Sequence, residues 1–350
     1  MRVRRLGIAL TAAALLAAAP SGIAPHAIAA PSATNQGQHR GQGQDYSMAV
    51  IGDVPYGSAQ IAAFPTWIDQ INADPDVRFV THVGDIKNGS SRCDDAYFQQ
   101  IQTDFDRFQD PLVYTIGDNE WTDCHRGNNG AYNPLERLSA LRSVFFSEPG
   151  RTNGQAVPID SQSAAGFPEN VNFERAGLDV AAVDIVGSNN DLQPWTGIGL
   201  TAPTAAQLDE ERARTANAIV TIDRAFDDAQ RHQHTAVAIM LQADMFDPTY
   251  TPTWNDISAF QPLVRHLVER SAAFDGEVYL FNGDSHVFRV DQPLAAGSTW
   301  LATYGITNAS AGNLTRVTVD GSSNNKDWLK LTVHPQADSH VVTWERIAYQ

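Results

Sequence analysis

Positive charge is the property that this sequence has least of. It holds 24 lysine and arginine residues against 40 aspartate and glutamate residues, a formal net charge of -16 with an isoelectric point of about 4.9. A nucleic-acid-binding surface needs clustered basic side chains, so the composition argues against nucleic acid as a partner. The acidic excess predicts a solvated acidic surface, and some of the carboxylates are available for a metal site.

Long apolar runs are also missing beyond the N-terminus. The apolar run from Leu6 to Ala19 follows the basic residues Arg2, Arg4 and Arg5, and it precedes the small-x-small sequence Ala27-Ile28-Ala29. This order predicts a signal peptide over residues 1–29, and the run is too short to span a bilayer comfortably. We therefore expect a secreted, extracytoplasmic protein with no membrane attachment after cleavage; the alternative is an uncleaved anchor.

The composition changes twice after the signal sequence. Residues 30–45 are rich in glycine and glutamine and predict a disordered linker. Residues 46–350 contain apolar runs throughout, and no later segment has the composition of a linker. We therefore expect one domain over residues 46–350.

Cysteine is scarce, with only Cys93 and Cys124 in the chain. Without Cys-x-x-Cys spacing, a structural zinc site is a poor explanation for them. Each cysteine follows a strand that ends in Gly-Asp, and export places both in an oxidising compartment. We therefore predict a Cys93–Cys124 disulfide, which could stabilise the fold by roughly 3–4 kcal/mol in the chain-entropy description.

Four apolar runs end in the same way, with a glycine followed by an aspartate. These pairs are Gly52-Asp53, Gly84-Asp85, Gly117-Asp118 and Gly283-Asp284. Glycine lets a strand turn sharply, and ligand sites in open α/β sheets collect at the carboxyl ends of the strands. Converging carboxylates repel one another unless a cation neutralises them. The pattern therefore predicts a metal site with Asp85 near its centre.

Helical and strand patterns alternate along most of the chain, which predicts an α/β fold with a parallel sheet. Residues 147–170 are polar and predict an excursion or cap, whereas the runs after His286 alternate as antiparallel strands do. The predicted helices are 58–73, 94–109, one that begins at Asn133-Pro134, 204–230 and 256–273; the later predicted strands are 178–186, 235–241, 314–320, 328–334 and 340–346.

The order of these motifs resembles the calcineurin-like metallophosphoesterases, which include the purple acid phosphatases. The resemblance implies a four-layer α/β/β/α sandwich in which two divalent metal ions lie at the strand ends. It also implies hydrolysis of phosphate esters by metal-activated water. It spans about residues 47–290 and rests on Gly52-Asp53, Gly84-Asp85, Gly117-Asp118-Asn119-Glu120, a strand that ends near Gln242, and Gly283-Asp284-Ser285-His286.

Three positions match the family's ligands directly. The resemblance implies that Asp53 binds the first metal ion, that Asp85 bridges both ions, and that His286 is the second histidine of the family's Gly-His-x-His motif. These three residues are the core of the implied site.

Other positions depart from the family pattern. Pro55, Asn119 and Asp284 stand where the family has histidines, and Asp118 stands where it has the metal-binding asparagine. The strand-end histidine corresponds to Gln242, with Asp244 as the alternative. Asp118, Gln242 and Asp284 are therefore carried over as metal ligands. Because most of the replacements are oxygen donors, the set favours hard cations, Mn²⁺, Mg²⁺ or Ca²⁺, over zinc.

The proton donor of the implied reaction is also altered. Asn119 can donate a hydrogen bond to a leaving oxygen but cannot transfer a proton. If an acid is needed, His125 in the same loop is the candidate, with Arg126 beside it as a clamp for phosphate oxygens.

Three nearby residues are given structural roles. We expect His82 to lie in the core or to support a ligand, and Lys87 to be a solvated charge, with a phosphate contact as its alternative. Tyr56 is expected to pack at a helix start, with covering the site or metal ligation as its alternatives.

Three functions remain open at this point. The leading one is a secreted divalent-metal-dependent phosphoesterase that acts on small-molecule phosphate esters, because carboxylates kept together without a cation would be costly. The missing imidazoles motivate the second, a catalytically weak or inactive protein that binds a metal or ligand on the same fold. A metal hydrolase for non-phosphate esters is the third.

Overall fold

The computed structural model describes residues 43–337 and 339–350. The predicted signal peptide lies outside these residues, as does the predicted linker apart from 43–45, so both stay predictions. The described residues belong to one compact unit. Among them, no helix combines the length and the apolar character that crossing a membrane requires.

The described residues form two mixed sheets with helices between and around their strands. The strands are β1 Tyr46–Ile51, β2 Val77–His82, β3 Pro111–Tyr114, β4 Asn153–Gly154, β5 Asp160–Gln162, β6 Phe167–Arg175, β7 Leu178–Ala182, β8 Ala236–Met240, β9 Glu277–Asn282, β10 Arg289–Asp291, β11 Leu314–Thr318, β12 Asp327–Val333 and β13 Val342–Ala348. The helices are α1 Gly57–Asn72, α2 Asp95–Phe105, α3 Pro134–Phe145, α4 Gly187–Asn190, α5 Ala205–His232, α6 Trp254–Ile257, α7 Gln261–Ala272 and α8 Thr299–Thr303.

Parallel strands form the centre of each sheet. The first sheet has the order β13-β12-β1-β2-β3-β4, and β1, β2 and β3 run parallel. The second has the order β10-β11-β9-β8-β7-β6-β5, with β7, β8, β9 and β11 parallel. The carboxyl ends of these strands therefore share one edge in each sheet, and the Gly-Asp turns lie there.

The side chains of the central strands alternate between two apolar layers. In β1, Met48 and Val50 belong to the cluster between the two sheets, whereas Ala49 and Ile51 pack in the cluster with α1, α2 and α3. This alternation follows from the period of two in a strand. A third cluster packs α5 and α7 on the outer face of the second sheet. The layers are therefore helix, sheet, sheet, helix, which confirms the predicted four-layer sandwich.

Local signals placed most helix starts correctly. The Asn133 side chain accepts a hydrogen bond from the N–H of Leu135, the second residue of α3, at 3.0 Å. Thr204 and Gln207 form a capping box at the start of α5. Such caps satisfy N–H groups that have no partner within the helix.

Two predictions about strands are wrong. Residues 147–170 were expected to be an excursion, yet they include β4 and β5 and reach into β6. These strands lie at or next to sheet edges, where half of the side chains face solvent and the polar composition hides the strand pattern. The run at 314–320 was expected to be antiparallel, but β11 pairs parallel with β9 and antiparallel only with β10.

Candidate metal centre

The Gly-Asp turns aim their side chains at one region beyond the strand ends. Asp53, Asp85, Asp284 and His286 have φ angles of 52°, 61°, 73° and 63°, in the left-handed region. This conformation reverses the chain within one residue, and aspartate tolerates it better than most residues. The sharp turns therefore place side chains from both sheets in one pocket.

Asp53, Tyr56, Asp85 and His286 form what we call the first side of the site. One ligand atom each from Asp53, Asp85 and His286 lies within 4.8 Å of the others. His286 Nε2 is 3.3 Å from Asp53 Oδ1 and 3.4 Å from the Tyr56 hydroxyl oxygen. Tyr56 donates its hydroxyl proton to Asp85 Oδ2 at 2.7 Å, so this residue lies in the site and not only at a helix start.

Asp85 on the first side is hydrogen-bonded through both carboxylate oxygens and through its backbone N–H. Besides Tyr56, Asn119 donates its side-chain N–H to Asp85 Oδ2 at 2.7 Å and its backbone N–H to Asp85 Oδ1 at 3.2 Å. The Asp85 backbone N–H in turn donates to Glu120 Oε1 at 3.0 Å. These contacts fix the Asp85 carboxylate before any ligand binds.

The pKa values of Asp85 and His286 on the first side reflect their burial and the charged groups close to them. Burial raises the pKa of Asp85 well above its usual range, and the nearby charges of Asp118 and Glu120 raise it further. Burial acts against the charged form of His286, but the hydrogen bond and charge of Asp53 outweigh it and raise the pKa of His286. A cation bound here would take over the role of these protons, since metal ligands must be deprotonated.

Asp118, Gln242 and Asp284 form the second side. Gln242 donates its side-chain N–H to Asp118 Oδ1 at 3.0 Å. Asp284 Oδ2 accepts the Asp244 backbone N–H at 2.9 Å, and the Asp284 backbone N–H lies 3.1 Å from each oxygen of Asp53. The two sides are therefore joined through Asp284.

Asp244, the alternative to Gln242, faces a different partner. Its carboxylate pairs with Arg316, and both side chains are almost fully buried. Arg316 also pairs with Asp291 at 2.7 Å. Asp244 thus reaches the second side through its backbone, and its carboxylate is held by the arginine.

The predicted catalytic residues occupy neighbouring positions. Asn119 lies beside the first side and donates a second N–H to the Tyr56 hydroxyl oxygen at 2.7 Å. A side chain on Gly89 would stand 2.7 Å from Asn119 Oδ1 and 3.2 Å from Arg126 Nη1, so Asn119 and Arg126 flank the same glycine. Arg126 also pairs with Asp123 at 2.6 Å.

His125 and Arg126 line an open cavity of about 840 Å³ beside the site. His125 Nδ1 accepts the Gly197 N–H at 3.1 Å, which leaves its ring proton on Nε2. Burial lowers the pKa of His125, and the charge of Arg126 lowers it further. His125 is therefore a neutral hydrogen-bond donor near pH 7, and because its ring carries no extra proton it is poorly suited to the role of general acid expected from the sequence.

A disulfide ties together the loops that carry these residues. Cys93 and Cys124 are bonded, with their Cα atoms 5.9 Å apart, as predicted. The Cys93 N–H donates to the Asn129 carbonyl at 3.0 Å in the same loop region. The loop that carries Asn119, His125 and Arg126 is thereby fixed to the loop that follows Asp85.

Sequence reasoning placed one charged residue wrongly. Lys87 was expected to be solvated, but it is buried, and its ammonium group donates to the carbonyl oxygens of Asn119 at 2.7 Å and Asn88 at 2.9 Å. Burial lowers the pKa of Lys87 to about 8. The only sequence signal was its position two residues after Asp85, which does not distinguish a buried from an exposed lysine.

Glu120 is the last residue of the motif Gly117-Asp118-Asn119-Glu120, and the sequence predicted no role for it. Its Oε1 accepts hydrogen bonds from the Tyr114 hydroxyl, the Gly117 N–H and the Asp85 N–H. Glu120 therefore holds the turns after β2 and β3 together beneath the site.

The donor set of the first side fits a divalent cation. Two carboxylates and an imidazole converge there, and such mixed oxygen and nitrogen sets bind Mn²⁺, Fe²⁺ or Zn²⁺ as well as the harder ions. A second possible group, Asp179, His232 and His234, lies near the start of β7 and the end of α5. It is at the amino end of the second sheet's strands and shares no residue with the first side.

Comparison with known proteins agrees with the resemblance seen in the sequence. Residues 46–196 match the family model described as calcineurin-like phosphoesterase, which covers Asp53, Asp85 and Asp118 but not Gln242, Asp284 or His286. No curated protein matches the chain.

Two solved structures are similar to this chain at low sequence identity. One is the GAP50 anchor in the inner membrane complex of Plasmodium, at 9% identity and a TM-score of 0.43, with 87% of this chain and 89% of that one covered. The other is purple acid phosphatase PPD1 from yellow lupin (Lupinus luteus) seeds, at 11% identity and a TM-score of 0.44. That alignment covers 88% of this chain but only 54% of the lupin chain.

Proposed function

We propose that this chain, whose residues 46–196 carry a calcineurin-like phosphoesterase domain, is a secreted, divalent-metal-dependent phosphoesterase. The observation that carries the proposal is the convergence of Asp53, Asp85 and His286 within 4.8 Å at the strand ends of both sheets. The disulfide supports export, because disulfides persist mainly in oxidising compartments. A small-molecule phosphate ester is the substrate class that the family match favours.

A divalent cation held at the first side would supply positive charge for the phosphoryl oxygens and would lower the pKa of a bound water. Asp53, Asp85 and His286 would hold it, and Mn²⁺ or Mg²⁺ suit the carboxylates better than zinc does. Tyr56 and Asn119 orient the Asp85 carboxylate through their 2.7 Å hydrogen bonds.

The cavity beside the site offers groups for the rest of a substrate. Arg126 can donate two N–H groups to a phosphate or carboxylate, and His125 can donate its Nε2 proton to an uncharged oxygen. Asn189 and Asn255 also line this cavity, so it is polar on several sides. A polar leaving group is therefore the better match for it than a long apolar chain.

Metal analysis combined with a phosphoester panel tests the proposal. The metal-stripped protein should be inactive and should regain hydrolysis of an aryl phosphate when Mn²⁺, Mg²⁺ or Ca²⁺ is added. The variant Asp104→Asn is a control that should keep this metal-dependent hydrolysis, because Asp104 is a buried aspartate at the end of α2 with no contact to the site. No metal-dependent hydrolysis of any phosphoester, with the fold intact, would reject the proposal.

One observation favours the alternative of a metal-binding protein with weak or no activity. Asn119, which is hydrogen-bonded to Asp85, is an amide and has no acidic proton to transfer to a leaving oxygen. Metal binding without hydrolysis of any member of the panel would select this alternative. Hydrolysis restricted to carboxylic esters would select the non-phosphate hydrolase.

A further inference from the structure

The Gln242 side chain has only one orientation that satisfies both of its neighbours. Its Oε1 accepts the Gly187 N–H at 2.6 Å, and its Nε2 donates to Asp118 Oδ1 at 3.0 Å. Turning the amide over would set an NH₂ group against the Gly187 N–H and an oxygen against a carboxylate oxygen. Both contacts would then be repulsive. Gln242 therefore presents a hydrogen-bond donor, not a lone pair, to the space beside Asp118.

The other oxygen of Asp118, Oδ2, also faces a hydrogen-bond donor. The Ser188 hydroxyl oxygen lies 3.0 Å from Asp118 Oδ2 and 2.9 Å from Asp123 Oδ1, so its single proton serves one carboxylate at a time. Side-chain groups of Gln242 and Ser188 thus reach both oxygens of the Asp118 carboxylate. Protein hydrogen-bonding groups therefore face the Asp118 carboxylate where the family resemblance implies a cation.

The short element α4, which supplies Gly187 and Ser188, is not a right-handed helix but a left-handed turn. Residues Ser188, Asn189, Asn190 and Asp191 have φ angles of 51°, 53°, 53° and 70°. The left-handed conformation is strained for residues other than glycine, and although asparagine and aspartate tolerate it best, four such residues in succession need support from the surrounding structure.

Several contacts hold the left-handed turn in place. Arg214 donates to the Asn190 carbonyl at 3.0 Å, and Asn189 Oδ1 accepts the Ala259 N–H at 2.9 Å. The Trp195 indole donates to Asp191 Oδ1 at 3.0 Å. Two side chains, of Arg214 and Trp195, and the backbone of Ala259 therefore fix the turn against the site.

Gly187 brings the backbone itself between two carboxylates. A Cβ atom at this position would lie 2.6 Å from Asp118 Oδ2 and 3.1 Å from Asp284 Oδ1. Only glycine can approach so closely, which shows that the turn is packed directly against the second side.

The first side differs in the chemistry of its members. Asp53, Asp85 and Tyr56 each have an oxygen, and His286 a nitrogen, whose deprotonated form can bind a cation. An amide nitrogen such as that of Gln242 has no lone pair available for a cation. The hydrogen bonds of the first side can therefore be exchanged for a cation, whereas those of Gln242 cannot without turning the amide.

We propose that this site binds one divalent cation, at the first side, and that Gln242 and the turn Gly187–Asp191 take the place of a second cation beside Asp118. This inference rests on the proposed function, since it assumes that the first side binds a metal ion. It also changes the role inferred for Gln242 from a metal ligand to a hydrogen-bond donor for Asp118.

Counting bound Mn²⁺ ions tests the inference without any measurement of activity. The full exported chain carries His232→Ala in every sample, so that the group of Asp179, His232 and His234 does not add an ion to the count. Equilibrium dialysis with elemental analysis should give one Mn²⁺ per chain. Electron paramagnetic resonance should show the hyperfine lines of an isolated ion.

Gln242→His should raise the count from one to two, because an imidazole removes the donor from Asp118 and adds a lone pair. The spectrum should then show the broadening of two coupled ions. Gln242→Glu is the second variant, in case the histidine disturbs folding; it keeps the size of the side chain and the acceptor for Gly187. It should also recruit a second ion, since its free oxygen would face Asp118.

Each outcome bears on a different claim. Two coupled ions in the chain with Gln242 intact would overturn the inference and leave the proposed function standing. No bound ion at all would overturn the proposed function itself. One ion in folded Gln242→His and Gln242→Glu would show that Gln242 does not exclude the second ion, and would also overturn the inference.

Discussion

The two sides of the site begin with the same sequence pattern and end in different chemistry. Each takes aspartates from Gly-Asp turns, Asp53 and Asp85 on the first side, Asp118 and Asp284 on the second. On the first side the neighbours are His286 and Tyr56, which can serve as ligands. On the second they are Gln242 and a backbone turn, which donate hydrogen bonds. A strand-end aspartate therefore predicts a polar site, but its neighbours decide whether a cation or the protein neutralises it.

Two amides occupy corresponding places in this comparison. Asn119 donates to Asp85 at 2.7 Å, and Gln242 donates to Asp118 at 3.0 Å. Both stand where the resembled family has an imidazole. The Asn119 side chain can be displaced without the loss of a hydrogen bond from a backbone N–H to its oxygen. The Gln242 side chain cannot, because its oxygen accepts the Gly187 N–H. The difference makes the second side the more rigid of the two.

Removing one carboxylate from each side should give the largest contrast. Asp85→Ala should weaken Mn²⁺ binding by at least about 10²-fold, since even residues that only support a ligand often contribute about 10–100-fold. Asp284→Ala should weaken it by less than about tenfold, because the backbone N–H of residue 284 still reaches Asp53. Isothermal titration with Mn²⁺ measures both. Equal losses in the two variants would contradict the distinction between the sides.

The fold was largely predictable because its signals are local. Gly-Asp turns, the Asn133-Pro134 helix start and the apolar alternation of β1 each act within a few residues. The Cys93–Cys124 disulfide was also predictable, because both cysteines follow strands that end at the same sheet edge. Parallel pairing of β11 with β9 was missed, since it depends on residues distant in sequence.

The site was predictable only in part, for a similar reason. The convergence of Asp53, Asp85 and His286 follows from strand ends that share an edge. The orientation of Gln242 depends on Gly187, 55 positions away, which no sequence pattern links to it. The segment Gly187-Ser188-Asn189-Asn190-Asp191 carried one usable signal: asparagine and aspartate tolerate positive φ angles. That signal indicates an unusual turn but not its position against Asp118.

Acidic pH should destabilise the two turns that carry Asp53 and Asp85 on the first side. His82 is buried, its Nε2 lies 2.7 Å from the Val54 carbonyl oxygen, and its Nδ1 accepts the Gly84 N–H at 3.2 Å. It thus joins the turns that carry Asp53 and Asp85. Burial lowers the pKa of His82 to about 4, from 6.5 in the unfolded chain. The unfolded chain therefore binds a proton more readily, and the neutral imidazole stabilises the fold fully only above about pH 6.5.

As the pH falls from about 6.5 to 4, His82 should remove about 3 kcal/mol from the free energy of unfolding. His82→Gln has no titrating ring, so the stability gap between it and the unsubstituted chain should narrow by this amount on acidification. Urea unfolding of both proteins across this pH range, with a chelator present, measures the gap. Parallel pH profiles would show that the folded-state pKa of His82 is not lowered.

Asn119→His should give the smallest effect and the one most informative about chemistry. An imidazole at this position can keep one of the two N–H donations that Asn119 makes, to Asp85 or to Tyr56. It also adds a proton that can be transferred to a leaving oxygen. A well-placed general acid contributes about 10²–10⁴-fold, and because the ring is not pre-positioned here we expect a gain of about tenfold. The gain should appear in turnover of an alkyl phosphate, whose leaving group needs a proton, and not with an activated aryl phosphate.

Asn119→Gln is the matched control, because it keeps an amide and adds no acid. An equal gain with both substrates in Asn119→His would indicate stronger metal binding and not proton transfer. No change with either substrate would mean that solvent or His125 already provides the proton. His125 is the weaker candidate of the two near neutral pH, because its pKa is lowered. A gain confined to the alkyl phosphate would show that the first side is catalytic and that its amide limits the rate.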